Sequence, residues 1–130
     1  MAGEEDLDKL LAEMRPKLLP GDFVFCTVAT MKYGDHAELQ PLASFQEEEG
    51  LTLVLEKHAA ENVGLAYDAV FSCITLTVHS SLEAVGLTAA VASKLAANGI
   101  SANVIAAYYH DHVFVPKDKA PLAMQALAAL

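Results

Sequence analysis

Apolar and polar positions alternate along the chain in patterns that predict helices and strands in turn. Leu7, Leu10, Leu11, Met14 and Leu18 form an i, i+3, i+4, i+7 stripe and predict a helix within residues 6–19. Acidic residues lead that segment and Lys17 closes it, the polarity a helix dipole favours. Pro16 predicts that regular helix stops near Met14 or Arg15, because its ring clashes with the preceding turn. Pro20-Gly21-Asp22 marks a turn, and residues 22–30 are then almost wholly apolar, as in a strand inside a sheet. Residues 31–40 are polar and irregular and predict a loop. Residues 42–47 and 51–56 predict two strands joined through Glu48-Glu49-Gly50, whose acidic tip reads as a solvated turn. A short helix is predicted over residues 58–67.

Residues 69–79 make the longest β-like run. Ile74, Leu76 and Val78 alternate there with Cys73, Thr75 and Thr77, giving one greasy face and one semi-polar face. The helix that follows carries Leu87, Val91 and Leu95 at helical spacing, extended by Ala84 and Asn98, and admits two starts. Ser80 and Glu83 fit a capping box that would begin it at Ser81, leaving Gly86 inside the helix at a cost of about 1 kcal/mol relative to alanine. Alternatively the chain turns over residues 81–85 and the helix begins near Gly86, whose bare backbone would let a ligand approach. Gly99 fits the position just past the end, with Ile100 against Leu95. Residues 103–109 and 112–115 predict a hairpin about His110-Asp111. Within it Tyr108 and Tyr109 would face opposite ways, one to the core and one to an interface or pocket wall. Residues 116–118 break the strand, and 120–130 predict a closing helix with Leu122, Ala126 and Leu127 inward.

Composition narrows the class. At 130 residues and 54% hydrophobic, the chain has material for one compact domain or two fused small units. Eight Lys plus Arg stand against seventeen Asp plus Glu, for a net charge of −9, and Arg15 is the sole arginine. That balance argues against nucleic acid, where phosphate neutralisation supplies most of the affinity, and against an anionic membrane surface. No run is long and apolar enough for a membrane span, and the acidic beginning lacks the basic stretch of an export signal, so a cytoplasmic protein is expected. Cys26 and Cys73 lie inside strand patterns and read as two buried thiols.

From Ile74 onward the elements run strand, helix, strand, strand, helix. The first half runs helix, strand, strand, helix, followed by the strand at 69–79. LVLEKHAAENVGLA at 53–66 and VFVPKDKAPLAMQAL at 113–127 rhyme: a strand end, a charged step, an Ala-rich helix. This weak internal duplication predicts two βαββαβ-like units, 1–68 without an opening strand and 69–130, which share the strand 69–79. The fold class expected is α+β, a mostly antiparallel sheet with helices on one face.

The run LTVHSSLEAVGLTAAVASKLAANGISANVIAAYYHDHVFVP, residues 76–116, closely resembles ACT-domain proteins of the DUF2241 type, small bacterial proteins with two fused ACT units. It is also similar to the ACT repeats of CASTOR-type arginine sensors and of aspartate kinase regulatory regions. The resemblance covers essentially the whole chain. It implies tandem ferredoxin-like units, side-by-side sheet pairing, a homodimer or other homo-oligomer, and amino-acid binding where the first strand turns into the first helix. Val85-Gly86-Leu87 occupies the place of the family's Pro-Gly step, preceded by His79-Ser80-Ser81; the family's usual aspartate is absent, and Glu83 lies nearby. With Asn103 at the start of the next strand, these residues are the candidate binding set for an amino acid or similar small carboxylate. A helix N-terminus there suits such an anion.

Other chemistry is less well supported. His110 and His112 would share a strand face with His79 nearby, but no HxxE or CxxC spacing accompanies them, and no metal or cofactor is expected. Ser80 or Ser81 beside His79 lacks the GxSxG elbow of a nucleophile, so no catalysis is expected either. The expectation is a regulatory or sensing protein, without an attached catalytic domain, acting on another chain. The rival expectation is a structural dimerisation or docking module without a small ligand.

Overall fold

The computed structural model describes residues 3–130. The chain folds as two compact units: residues 3–20 with 72–130, and residues 21–71.

The larger unit begins with α1 (Leu7–Glu13), capped by Asp6, whose carboxylate accepts from the backbone N–H groups of Asp8 and Lys9. Met14 leaves helical geometry ahead of Pro16, whose ring would clash with the preceding turn of a continued helix. Pro16 then opens a strand that the sequence reading did not anticipate, β1 (Pro16–Leu18). It pairs antiparallel with β5 (Phe71–Leu76), Pro16 opposite Leu76 and Leu18 opposite Ile74. Thr77 ties the end of β5 to the same segment: both its N–H and its hydroxyl donate to the Arg15 carbonyl.

On the other side β5 neighbours β7 (Asp111–Pro116), which pairs antiparallel with β6 (Asn103–Ala106). Ile74 and Leu76 of β5 and Val113 and Val115 of β7 alternate onto one face. There they join Leu10 and Met14 of α1, Leu87, Val91 and Leu95 of α3 (Leu87–Ala97), and Ala123, Ala126 and Leu127 of α4 (Ala120–Ala128) in a single core. The helices therefore cover one face of this sheet, the arrangement the hydrophobic alternation predicts. Asn98 caps α3, and the N–H groups of Gly99 and Ile100 return to the carbonyls of Ala96 and Leu95, the Schellman pattern expected from Gly99.

The smaller unit holds β2 (Phe23–Val28), β3 (Ala43–Glu47), β4 (Gly50–Glu56) and α2 (Lys57–Asn62). β4 lies between β3 and β2, both antiparallel to it, and the turn at Glu48-Glu49 places Glu47 opposite Gly50. Val24 and Cys26 of β2 meet Leu51, Leu53 and Leu55 of β4 over Ala60 of α2, with Met31, Leu39 and Leu65 packed around them.

Two expectations about side chains fail, and one strand length with them. The strand β6 is shorter than predicted while β7 runs one residue further at each end, and residues 107–110 form the turn between them, closed by the Ala107 N–H on the His110 carbonyl. Tyr108 and Tyr109 consequently sit on a tip. Both are exposed, at 52% and 62%, instead of one entering the core. Leu122 lies on the outer side of α4 while Ala120 and Ala123 turn inward, because the helix begins at Ala120 with Pro121 in its first turn and that phase sets the buried face.

Candidate functional site

The strand-to-helix connection of the larger unit, residues 77–86, resolves the two readings of its start. Ser80 and Glu83 form no capping box. Ser81 Oγ instead accepts from the Glu83 N–H, the Ala84 N–H reaches the Ser81 carbonyl, and α3 starts at Leu87 with Gly86 as its N-cap. Gly86 holds φ +104°, and a Cβ on it would lie 2.9 Å from Leu7 Cδ2 of α1. The glycine is thus required by the backbone turn and by close packing of α1, reasons independent of any ligand. Among the described residues no side chain caps α3, so the amides of its first turn are open to solvent or a ligand.

A cleft of about 100 Å³ opens beside this helix start, lined by the turn (Ser80, Ser81, Gly86), the first turn of α3 (Leu87, Thr88), and Ala106 and Asp111 from the hairpin strands. Of the candidate residues it brings together Ser80, Ser81, Gly86 and Leu87. It does not include His79, Val85 or Asn103. Val85 is 83% exposed on the turn, Asn103 stands in β6 opposite Phe114, and His79 packs its ring 5.1 Å from Tyr109 and 6.0 Å from Tyr108. A short N-terminal strap fixes the turn from outside: the Glu4 N–H donates to the His79 carbonyl and the Ser81 N–H to the Glu4 carbonyl, both at 2.9 Å.

Asp111, absent from the candidate set, is the cleft's most unusual group. It is 7% exposed, and Ser80 Oγ donates to its Oδ2 over 3.5 Å. Burial pushes its carboxyl above the usual range; the Ser80 hydroxyl and the neighbouring His112 and His110 oppose that only in part. His112 is itself held below the ordinary histidine range, chiefly by burial, and its Nδ1 lies 2.9 Å from Thr75 Oγ1 on β5. In the sequence, Asp111 sits in a His-Asp-His stretch that reads as a polar hairpin tip. The signal that it belongs inside was the Asp111, Val113, Val115 alternation at period two.

The described residues contain no group of three or more His, Cys, Asp or Glu side chains placed to hold a metal ion. Both cysteines are free and buried; burial pushes the Cys73 thiol up to about 11, against a hydrogen bond to Thr75, and also raises Cys26. Among the described residues no helix is long and apolar enough to cross a membrane.

Two matches to family models span nearly the whole chain, each to an ACT domain, over residues 2–72 and 69–129. A protein of unknown function from Vibrio cholerae, described as a possible transport protein, is 60% identical over 95% of this chain and 94% of its own, with a TM-score of 0.86. An Agrobacterium tumefaciens protein superposes with a TM-score of 0.74 at 19% identity, over 89% of this chain and 87% of that one. The ligand-free regulatory subunit of aspartate kinase from Thermus thermophilus does so with a TM-score of 0.62 at 12% identity, over 88% and 94%. At those two identities the likeness is one of fold. No match was found among the curated proteins. Antiparallel strands covered by helices fit ACT units of the ferredoxin-like type, and with both halves matched the chain belongs to the ACT-domain family.

Proposed function

We propose that this protein is a non-catalytic regulatory module that binds an amino acid or a similar small carboxylate in the cleft at the start of α3. It would work in the cytoplasm as a homodimer that transmits occupancy to another protein. The observation that carries the reading is an eleven-residue helix whose N-terminus, without a side-chain cap among the described residues, opens onto a cleft at the strand-to-helix turn inside the second matched ACT domain. First-turn amides and the helix dipole there favour a carboxylate. The aspartate kinase regulatory subunit among the structural neighbours agrees with a regulatory role for this fold.

A thermal-shift screen of the common amino acids at millimolar concentration tests the proposal. Ligand present at a hundred times its Kd adds about 2.7 kcal/mol to the native state, which raises Tm by several degrees. A flat response to every amino acid would overturn it. A second reading has its own support: Tyr108 and Tyr109 are exposed on one hairpin tip, ring centroids 5.0 Å apart and packed with His79, a surface suited to association. In that reading the protein is a docking module with no small ligand. Solution mass across a dilution series would then show a concentration-dependent dimer in a protein that ignores all amino acids.

A further inference from the structure

The chain enters β7 through His110-Asp111-His112, and the alternation of a strand parts these side chains. Asp111 is buried on the side of Val113 and Val115, beneath the helices. His110 and His112 come to the other side, both half-buried, with ring centroids 6.5 Å apart. The His112 ring is held from β5. Its Nδ1 lies 2.9 Å from Thr75 Oγ1, and Thr75 is also hydrogen-bonded to the buried Cys73 thiol, two residues back on the same face. That second bond lowers the thiol's pKa against the rise burial brings, so in it the Thr75 hydroxyl is the donor. A hydroxyl has one proton to give; with it on sulfur, the oxygen accepts from His112 Nδ1–H. This tautomer leaves the lone pair on Nε2. Burial, and His110 after it, also hold His112 below the ordinary histidine range, so the ring is neutral at neutral pH.

We propose that His110 and His112 chelate one divalent transition-metal ion on the face of β7 away from Asp111 and α3, with Thr75 as the residue that positions His112. A ligating histidine is oriented by what its other ring nitrogen donates to, and the Cys73–Thr75–His112 chain supplies that support. Two rings sharing an ion at about 2.0–2.1 Å per bond stand roughly 5 Å apart by centroid, so rotation of the His110 side chain closes the remaining distance. Imidazole selects copper(II), nickel(II) or zinc(II) over magnesium and calcium, and copper(II) heads that order. The described residues bring no third histidine, cysteine or carboxylate into the group. The ion's other positions are therefore left to water or to a donor from outside the chain, a second chemical input for a regulatory protein. Neither histidine lines the cleft beside α3, so the proposal stands or falls separately from the amino-acid reading.

Calorimetric titration of the full chain, free of any added histidine tag, with copper(II), nickel(II) and zinc(II) near neutral pH tests this. One ion is expected to bind, copper(II) most tightly. His110→Gln and His112→Gln are each expected to weaken it about tenfold or more, because either change abolishes chelation. Thr75→Val keeps both ligands and removes the support, and is expected to weaken binding about tenfold. His58→Gln, at an exposed histidine elsewhere, is expected to change nothing. Circular dichroism checks the fold of each variant. In the unaltered protein, substoichiometric nickel(II) is expected to broaden the ring-proton resonances of His110 and His112 ahead of those of His36, His58 and His79, a readout that needs no variant. Undiminished affinity in His110→Gln or His112→Gln would overturn the proposal. So would equal broadening of all five histidines, or no binding of any of the three ions. Undiminished affinity in Thr75→Val would overturn the positioning role of Thr75.

Discussion

The two units solve the same packing problem with different material. In the larger unit, β5 leads through a turn into the eleven-residue α3, and Leu87, Val91 and Leu95 seal one face of the sheet. In the smaller unit the corresponding step after β2, residues 29–42, contains only a short 3₁₀ turn (Ala37–Leu39), and Met31 and Leu39 cover the strands in place of a helix. The open groove of about 310 Å³ beside that loop is lined by Tyr33, Leu42, Leu51 and Leu53 among others, with Asp35 its one charged residue. One unit therefore owns a helix dipole, uncapped amides and a buried carboxylate. The other has the strands of the same fold without the element that makes an anion site. Sharing a fold does not make the two halves equivalent; a missing helix removes the chemistry as well as the core.

The sharpest way to break the comparison is to attack each cover directly. Leu95 is fully buried in the larger core, so Leu95→Ala is expected to cost about 2–5 kcal/mol, read as a lowered urea midpoint. Leu39 is partly exposed and held by a single 3₁₀ turn, so Leu39→Ala is expected to cost about 1 kcal/mol or less. Equal losses would mean that the irregular cover carries as much of the packing as the helix does.

Two glycines allow a finer cut. Gly86 and Gly34 both hold positive φ, +104° and +98°, but a Cβ on Gly34 would meet nothing within 4 Å, whereas one on Gly86 would press on Leu7. Gly34→Ala is thus expected to cost about 1 kcal/mol, the backbone strain alone. Gly86→Ala should cost about 2–3 kcal/mol, adding the clash to a similar strain. In a Leu7→Ala background the excess is expected to shrink, a coupling that a double-mutant cycle measures. If Gly86→Ala and Gly34→Ala cost the same, α1 does not pack tightly on the turn and the larger unit is looser at its site than its core implies.

These contrasts also mark what the sequence made legible. The helix stop at Gly99, the hairpin at Glu48-Glu49 and the helix-covered sheet all follow from local pattern and agree with the structure. Local pattern also supplied Gly86 as one of two helix starts, though not the choice between them. That choice depends on Leu7, a residue distant in sequence. β1 escaped notice because three residues beginning with a proline carry no legible alternation, and only β5, far along the chain, supplies its hydrogen-bonding partners. Asp111 was missed for a related reason. A polar residue at a hairpin tip reads as solvated until the topology sets the start of β7 beside Ser80.

The smallest expected effect carries the most information about the site. Burial raises the Asp111 carboxyl in the folded protein, so between the ordinary carboxylate range and its elevated native value the folded state binds more protons than the unfolded one. Stability from this group is therefore present below that window and is lost as pH rises through it, the opposite of a salt-bridged aspartate. Asp111→Asn removes the charge and keeps the shape. Near neutral pH the variant is expected to be as stable as the unaltered protein or slightly more so, an advantage that fades as pH falls and Asp111 becomes neutral. His112, held low by burial, weakens the effect where it protonates on the acid side, so Asp111→Asn is best compared between pH 8 and pH 4. Asp35, the charged residue of the smaller unit's groove, is exposed, and Asp35→Asn is expected to change stability by about 0.5 kcal/mol or less. A loss of stability in Asp111→Asn at pH 8 would mean that the carboxylate serves the fold. A gain there would mean that the buried charge costs the fold more than its hydrogen bond to Ser80 returns.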